Sequence, residues 1–254
     1  MQLPARLAIA GLAILLSMIL LLRFFPAGWM LIILQPSNPA FNHGSASGTI
    51  WTGQAEDVEF RDLKLGTIRW RLIGMNGWRQ TRWHITGSGL DYDLDFELAT
   101  HGRAVSAMRS IYGAVPAHWI RLADASAPLV PGGTIKIDLA RVRFEDNGMP
   151  VEAHGELNWT AARLTGFTAV ELGQVIIKLE PTDGRSEFTL QTAGQADLAM
   201  TGHGYWTAQY YRADLNLEVS PTRKTLQRLL ESVGSPRPNG SIDVQFNGEL
   251  ARSF

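Results

Sequence analysis

Gly66-Thr67-Ile68-Arg69-Trp70-Arg71-Leu72 decides how this chain folds. Ile68, Trp70 and Leu72 alternate with Thr67, Arg69 and Arg71, which is the signature of a strand with one apolar face and one wet face. The same period returns along most of the sequence. Tyr92, Leu94, Phe96 and Leu98 alternate with Asp91, Asp93, Asp95 and Glu97. Ile135, Ile137 and Leu139 alternate with Lys136 and Asp138, and the parity then changes at Val142 and Phe144. That change predicts a β-bulge near Ala140-Arg141. Further alternating sets are Val175, Ile177, Leu179; Ala196, Leu198, Met200; Leu215, Leu217, Val219; and Ile242, Val244, Phe246. Half-buried antiparallel strands are the expected element.

Two segments depart from the period of two. In residues 221–233 (PTRKTLQRLLESV), Leu226, Leu229, Leu230 and Val233 form one helical stripe. Ser220 is the expected N-cap, Pro221 the first turn and Gly234 the stop. Residues 104–112 (AVSAMRSIY) are a weaker helix candidate. The fold class expected is therefore mainly β (α+β): a twisted or curled antiparallel sheet with about one helix per half.

The halves are read from a repeat. Gly48-Thr49-Ile50-Trp51-Thr52-Gly53 precedes Leu65-Gly66 in one copy, and Gly155-Glu156-Leu157-Asn158-Trp159 precedes Leu172-Gly173 in the other. Gly48 and Gly66 are 18 residues apart, as are Gly155 and Gly173. A closing glycine-led strand follows each copy, at Gly133-Thr134-Ile135 and Gly240-Ser241-Ile242. The expected domains are 1–25 (stub and anchor), 26–45 (juxtamembrane segment and linker), 46–152 (first half-repeat) and 153–254 (second half-repeat).

Residues 7–22, bounded by Leu7 and Leu22, contain only small and apolar residues and Ser17. At about 1.5 Å per residue they reach about 24 Å, and about 28 Å when continued to Phe25, close to the roughly 30 Å hydrocarbon core. A single transmembrane helix is the expectation. Arg23 can snorkel to the headgroups, and Phe24, Phe25 and Trp29 form an interfacial collar. A cleaved signal peptide fits less well, because no A-x-A site follows the run. A buried core helix fits less well too, because the run has no polar face. Arg6 is the only charge upstream, so orientation is poorly encoded.

Composition excludes several classes. A net charge of −1 with 19% charged residues in 254 does not describe a nucleic-acid binder. The absence of cysteine removes disulfides, thiolate metal sites and a Cys nucleophile. Asp91-x-Asp93-x-Asp95 lacks the glycine and glutamate of a calcium loop, with Phe96 and Gly102 at those places. The six histidines make no short metal motif, Ala46 occupies the nucleophile place of a G-x-S-x-G elbow, and no phosphate loop is present. No catalytic, cofactor or metal residue is expected. The tryptophans Trp51, Trp70 and Trp159 fit strand faces as core packing.

The order of these motifs resembles the type II secretion system protein N family (general secretion pathway protein N). The resemblance rests on Pro26-Ala27-Gly28-Trp29, Ser47-Gly48-Thr49-Ile50-Trp51-Thr52-Gly53-Gln54-Ala55 and Leu63-Lys64-Leu65-Gly66-Thr67-Ile68-Arg69-Trp70-Arg71-Leu72. It continues through Gly148-Met149-Pro150, Gly155-Glu156-Leu157-Asn158-Trp159, Glu171-Leu172-Gly173, Asn239-Gly240-Ser241-Ile242 and Gly248-Glu249-Leu250. Ala161 departs from it, where the first copy has Gly53. The resemblance implies an accessory inner-membrane protein of the type II secretion machinery, with its domain in the periplasm and other apparatus proteins as partners. A second class remains open: AsmA-type lipid handling, with Ile68, Trp70, Leu72, Tyr92, Leu94 and Phe96 lining a path for an acyl lipid beside the membrane lipid around the anchor.

Overall fold

The computed structural model describes residues 16–18, 21, 23–29, 41–60, 63–77, 79–102, 104–119, 130–166 and 169–249. These form fifteen strands: β1 (Phe41–Asn42), β2 (Ala46–Gly48), β3 (Thr52–Phe60), β4 (Leu63–Asn76), β5 (Gln80–Ser88), β6 (Asp93–His101), β7 (Ala104–Pro116), β8 (Val130–Phe144), β9 (Pro150–Thr165), β10 (Ala169–Thr182), β11 (Arg185–Ala193), β12 (Leu198–Trp206), β13 (Tyr210–Val219), β14 (Ser235–Pro236) and β15 (Ile242–Glu249). An α-helix, labelled α1 (Lys224–Glu231), lies between β13 and β14. Strands that are neighbours in the chain are nearly always hydrogen-bonded neighbours as well, with β14 outside β15 as the final exception. The chain is mainly β and antiparallel, as the alternation predicts.

Contacts divide the chain into two units. The first holds residues 1–73 and 83–90, and the second holds residues 74–82 and 91–254. In the first, Ala55 and Val58 are buried on one face of β3, with Ala46, Leu65, Ile68 and Trp70 packed around them. In the second, Leu172, Val175, Leu198, Leu217, Ile242 and Val244 form a core across β10, β12, β13 and β15, and α1 lays Leu226 and Leu230 on it. A further cluster gathers Ile111, Leu139, Val142, Ala153 and Leu179, with Phe188 and Trp206 packed against it. Of the proposed lipid-path residues, Ile68 and Trp70 belong to the first unit's core, while Tyr92 is buried in the second against Trp119.

The helical reading of residues 104–112 is overturned: they lie in β7. Met108 and Ile111 sit three apart, and Ser110 between them has a positive φ of 48°. Glu97 pairs with Arg109 while Asp95 pairs with Tyr112, so β7 carries an extra residue against β6. A bulge in a strand thus imitates helical spacing. Among the described residues, the only helical element near that part of the chain is the 3-10 turn Ala117–Trp119. The C-terminal helix is present but shorter than expected. Arg223, not Ser220, holds the N-cap position, with no side-chain cap. Ser220 sits one turn earlier, its carbonyl accepting the Arg223 N–H at 2.9 Å. The bulge expected at Ala140-Arg141 is found: Leu139 pairs with Gly155 and Arg141 with His154.

Leu7, Leu22 and most of the apolar run lie outside the described residues. Leu16, Ser17, Met18, Leu21 and Arg23 are helical. Among the described residues no helix is long and apolar enough to cross a membrane.

Candidate interaction surface

The glycine–tryptophan motifs fall at bulges and corners of the strands. Ala55 pairs with Ile68 and Val58 with Gly66, so one extra residue sits in β3. Trp159 pairs with Val175 and Ala162 with Gly173, which leaves the same single surplus in β9. In both places the third residue of the bulged strand has a positive φ, 53° at Asp57 and 47° at Ala161, and a left-handed glycine stands opposite, 57° at Gly66 and 70° at Gly173. The sequence aligns Trp51 with Trp159, yet in this bulge geometry the counterpart of Trp159 is Ala55. Leu172 is 1% exposed and anchors the second core, whereas Leu65 packs at the margin of the first.

Two tryptophans tie corners through their indole N–H. Trp159 Nε1 donates to Gly132 O at 2.9 Å. Trp70 Nε1 donates to Ile50 O at 3.1 Å, its ring lying so close over Gly53 that an added Cβ would stand 2.7 Å from Cζ2. The Ile50 N–H in turn donates to Phe25 O at 3.0 Å, and Pro26 bridges to Thr49. Trp51, in the bend, accepts the Leu72 N–H at 2.7 Å. The Thr49 N–H closes this turn on Thr52 O at 2.7 Å. The chain that leaves the N-terminal helix is therefore hydrogen-bonded directly into the first unit. Phe24 and Trp29 flank the junction at 63% exposure each, and Phe25 is half-buried.

The second unit ends in an edge that the sequence reading missed. β14 covers β15 only at Ile242 and Asp243. Among the described residues, the outer side of β15 from Val244 onward has no strand partner. Val244 opposes Leu215 and Phe246 opposes Ala213, so Phe246 continues the core face past the end of the core, where it is 46% exposed. Tyr211, on the same face, rests its ring over Gly248. An unpaired edge with an unfinished apolar row is a template for an added strand. Pro236 and Pro238, which cannot donate to a ladder, are the sequence signal for a short β14.

Carboxylates brace this unit. Asp197 accepts two hydrogen bonds from Arg223, at 2.9 and 2.7 Å, and one from the Glu171 N–H at 3.1 Å. The Arg223 guanidinium first, and the backbone N–H second, hold the Asp197 carboxyl below the usual range. Asp243 is lowered by Asn216 and by its Arg237 ion pair, and Asp214 by Gln245 and Arg212. Among the described residues no group of three or more acids or histidines is placed to hold a metal.

A family model described as type II secretion system (T2SS), protein N, matches residues 39–245. A protein of Klebsiella pneumoniae named type II secretion system protein N is 28% identical over 209 residues, which is 80% of this chain and 81% of that protein. A protein of the same name from Vibrio cholerae serotype O1 is 28% identical over 198 residues, 70% of this chain and 66% of that protein. No solved structure matches the chain.

Proposed function

This chain belongs to the type II secretion system protein N family, and from that membership we propose that it works as an anchored docking component of the secretion apparatus. Membership makes it an accessory component of that system. The finer reading is that residues 7–25 hold it in the inner membrane, that its β-rich part lies in the periplasm, and that it acts by binding other apparatus proteins, not by catalysis.

The observation that carries the docking reading is the outer side of β15, which has no strand partner from Val244 onward among the described residues, with Phe246 exposed beside it. Backbone groups along such an edge supply affinity to an incoming extended segment, and alternate side-chain positions supply selectivity. The hydrogen bond from Ile50 to Phe25 supports the anchoring reading, because it fixes the domain at the point where the apolar run ends.

Photo-crosslinkable residues at positions 245, 247 and 249, compared with positions 63–72, test this in cells that carry the apparatus. Capture of an apparatus protein from the β15 positions supports the proposal. Capture from neither region sinks it.

A further inference from the structure

We propose that Arg69, Arg71 and His84 form a binding site for the phosphate headgroup of an anionic phospholipid, next to the point where the chain leaves its anchor. The inference rests on the membrane-anchored reading above. It adds a ligand class and a site to it.

A cavity of about 460 Å³ opens on the first unit, and its polar lining comes from Ser47, Thr52, Gln54, Arg69, Arg71, His84 and Thr86. Three hydroxyls and two guanidinium groups suit a phosphate, which accepts hydrogen bonds and takes paired N–H donors from arginine. Both arginines are exposed. Arg69 Nε donates only to the neutral Gln54 Oε1, at 3.3 Å, and Arg71 Nη2 lies 3.5 Å from His84 Nδ1. Among the described residues neither has a carboxylate partner, so their charge is available to a ligand.

The placement is what selects a lipid. Thr52 is the register partner of Arg71. Thr52 also closes the turn whose Ile50 N–H is bonded to Phe25 O. Arg71 is thus within about 17 Å of the end of the anchor, counting the hydrogen-bonded step from Phe25 to Ile50, two residues along the chain and one strand spacing. That is about two Debye lengths at physiological salt. Charge is sorted along these strands. Arg69 and Arg71 pair with Gln54 and Thr52 on the turn-side half of β3, whereas Asp57 and Glu59, the latter paired with Lys64, lie on its other half, and Glu56 sits between them, accepting from Gln54 Nε2 at 3.4 Å. Arg23, two residues before Phe25, adds a positive charge on the anchor itself. A cationic end turned toward the membrane and an acidic end turned away match a negatively charged bilayer surface.

The test uses the full chain in nanodiscs of phosphatidylglycerol mixed with phosphatidylcholine, or of phosphatidylcholine alone, followed by gentle detergent extraction and native mass spectrometry. The wild type is expected to retain phosphatidylglycerol in preference to phosphatidylcholine. Arg69→Gln with Arg71→Gln should cut that retention by roughly fivefold per arginine, from the surface attraction of a single cation. Arg69→Lys with Arg71→Lys should keep most of it, which separates lost charge from a damaged fold. Equal retention by the glutamine variant overturns the proposal, as does equal retention of phosphatidylcholine by the wild type. Stripping of the lipid by millimolar inorganic phosphate, with tight arginine-dependent phosphate binding in its place, assigns the site to free phosphate and overturns the lipid assignment. A wild-type chain that does not enter nanodiscs overturns both this and the anchored reading. One that enters without a headgroup preference overturns this inference alone.

Discussion

Trp206 Nε1 donates a 3.0 Å hydrogen bond to the carbonyl of Pro150, although β12 and β9 are three strands apart. In a flat sheet that separation is about 14 Å. The sheet of the second unit must therefore curl there, and the bond marks where. At Gly155, β9 parts from β10, the last paired position being Leu179 with Gly155. The earlier residues of β9 remain on β8 alone and bend over the apolar face. The Ala153 N–H, which has lost its ladder partner, is satisfied by Ser186 Oγ from β11 at 2.6 Å.

Ser186 is fully buried, so its loss leaves a buried donor unpaired. Ser186→Ala is expected to destabilise the domain by about 1–3 kcal/mol. Trp206→Phe removes the donor together with part of the packed ring, and should cost about 1–3 kcal/mol. Urea unfolding followed by tryptophan fluorescence measures the first, and circular dichroism the second. A Ser186→Ala midpoint equal to wild type would show that Ala153 finds another acceptor.

The paired bulges predict opposite signs at facing positions. Gly173→Ala forces a side chain into the left-handed region, with its Cβ 2.8 Å from Gln195 O, and should destabilise by about 1–2 kcal/mol. Ala161→Gly removes an existing left-handed alanine and should stabilise by about 0.5–1 kcal/mol. Thermal melts of both variants decide this. Two shifts of the same sign contradict the geometry.

How much of this was legible in the sequence follows from the same bulges. Strands whose parity holds, such as Ile68 to Leu72 and Val175 to Leu179, are read correctly because burial on one face imposes a period of two. β7 was not, because the surplus residue beside Ser110 turns two-residue spacing into three. The helix was readable, but of its four-residue stripe only Leu226 and Leu230 meet the core, while Leu229 and Val233 are exposed. The open side of β15 was not readable, since the alternation of Ile242, Val244 and Phe246 looks the same whether or not a neighbour pairs outside it. The Ile50–Phe25 bond was equally invisible, because both of its partners are backbone atoms.

Acid should weaken the second unit. Asp197, Asp214, Asp243 and Glu152 all have folded-state values below their ordinary ones, held down mainly by hydrogen bonds from Arg223, Gln245, Asn216 and Arg143 respectively. A depressed carboxylate contributes stability that is complete above its unfolded value and lost as pH falls through the folded one. The melting temperature should hold near neutrality and drop from about pH 5 downward. Asp197→Asn should melt lower than wild type at pH 7, with the gap narrowing in acid. A constant gap across that range would separate Asp197 from the acid response.

Phe246→Lys tests the edge. Lysine on an exposed edge discourages strand addition, while an exposed substitution typically moves stability by no more than about 0.5 kcal/mol. Secretion by a strain carrying this variant should fall, and crosslinks from position 247 should disappear, with an unchanged melting temperature. Normal secretion with intact crosslinks would move the docking surface elsewhere.

The strand order also bears on how the molecule is made. Because nearly every strand pairs with the one synthesised just before it, a chain emerging N-terminus first can lay down its ladder as it arrives, waiting for no distant segment. Each new strand is in turn a temporary growing tip, exposed until its successor covers it. Among the described residues, β15 is the tip that keeps most of its outer side bare, so a crowded pool of newly made chains would meet one another there first.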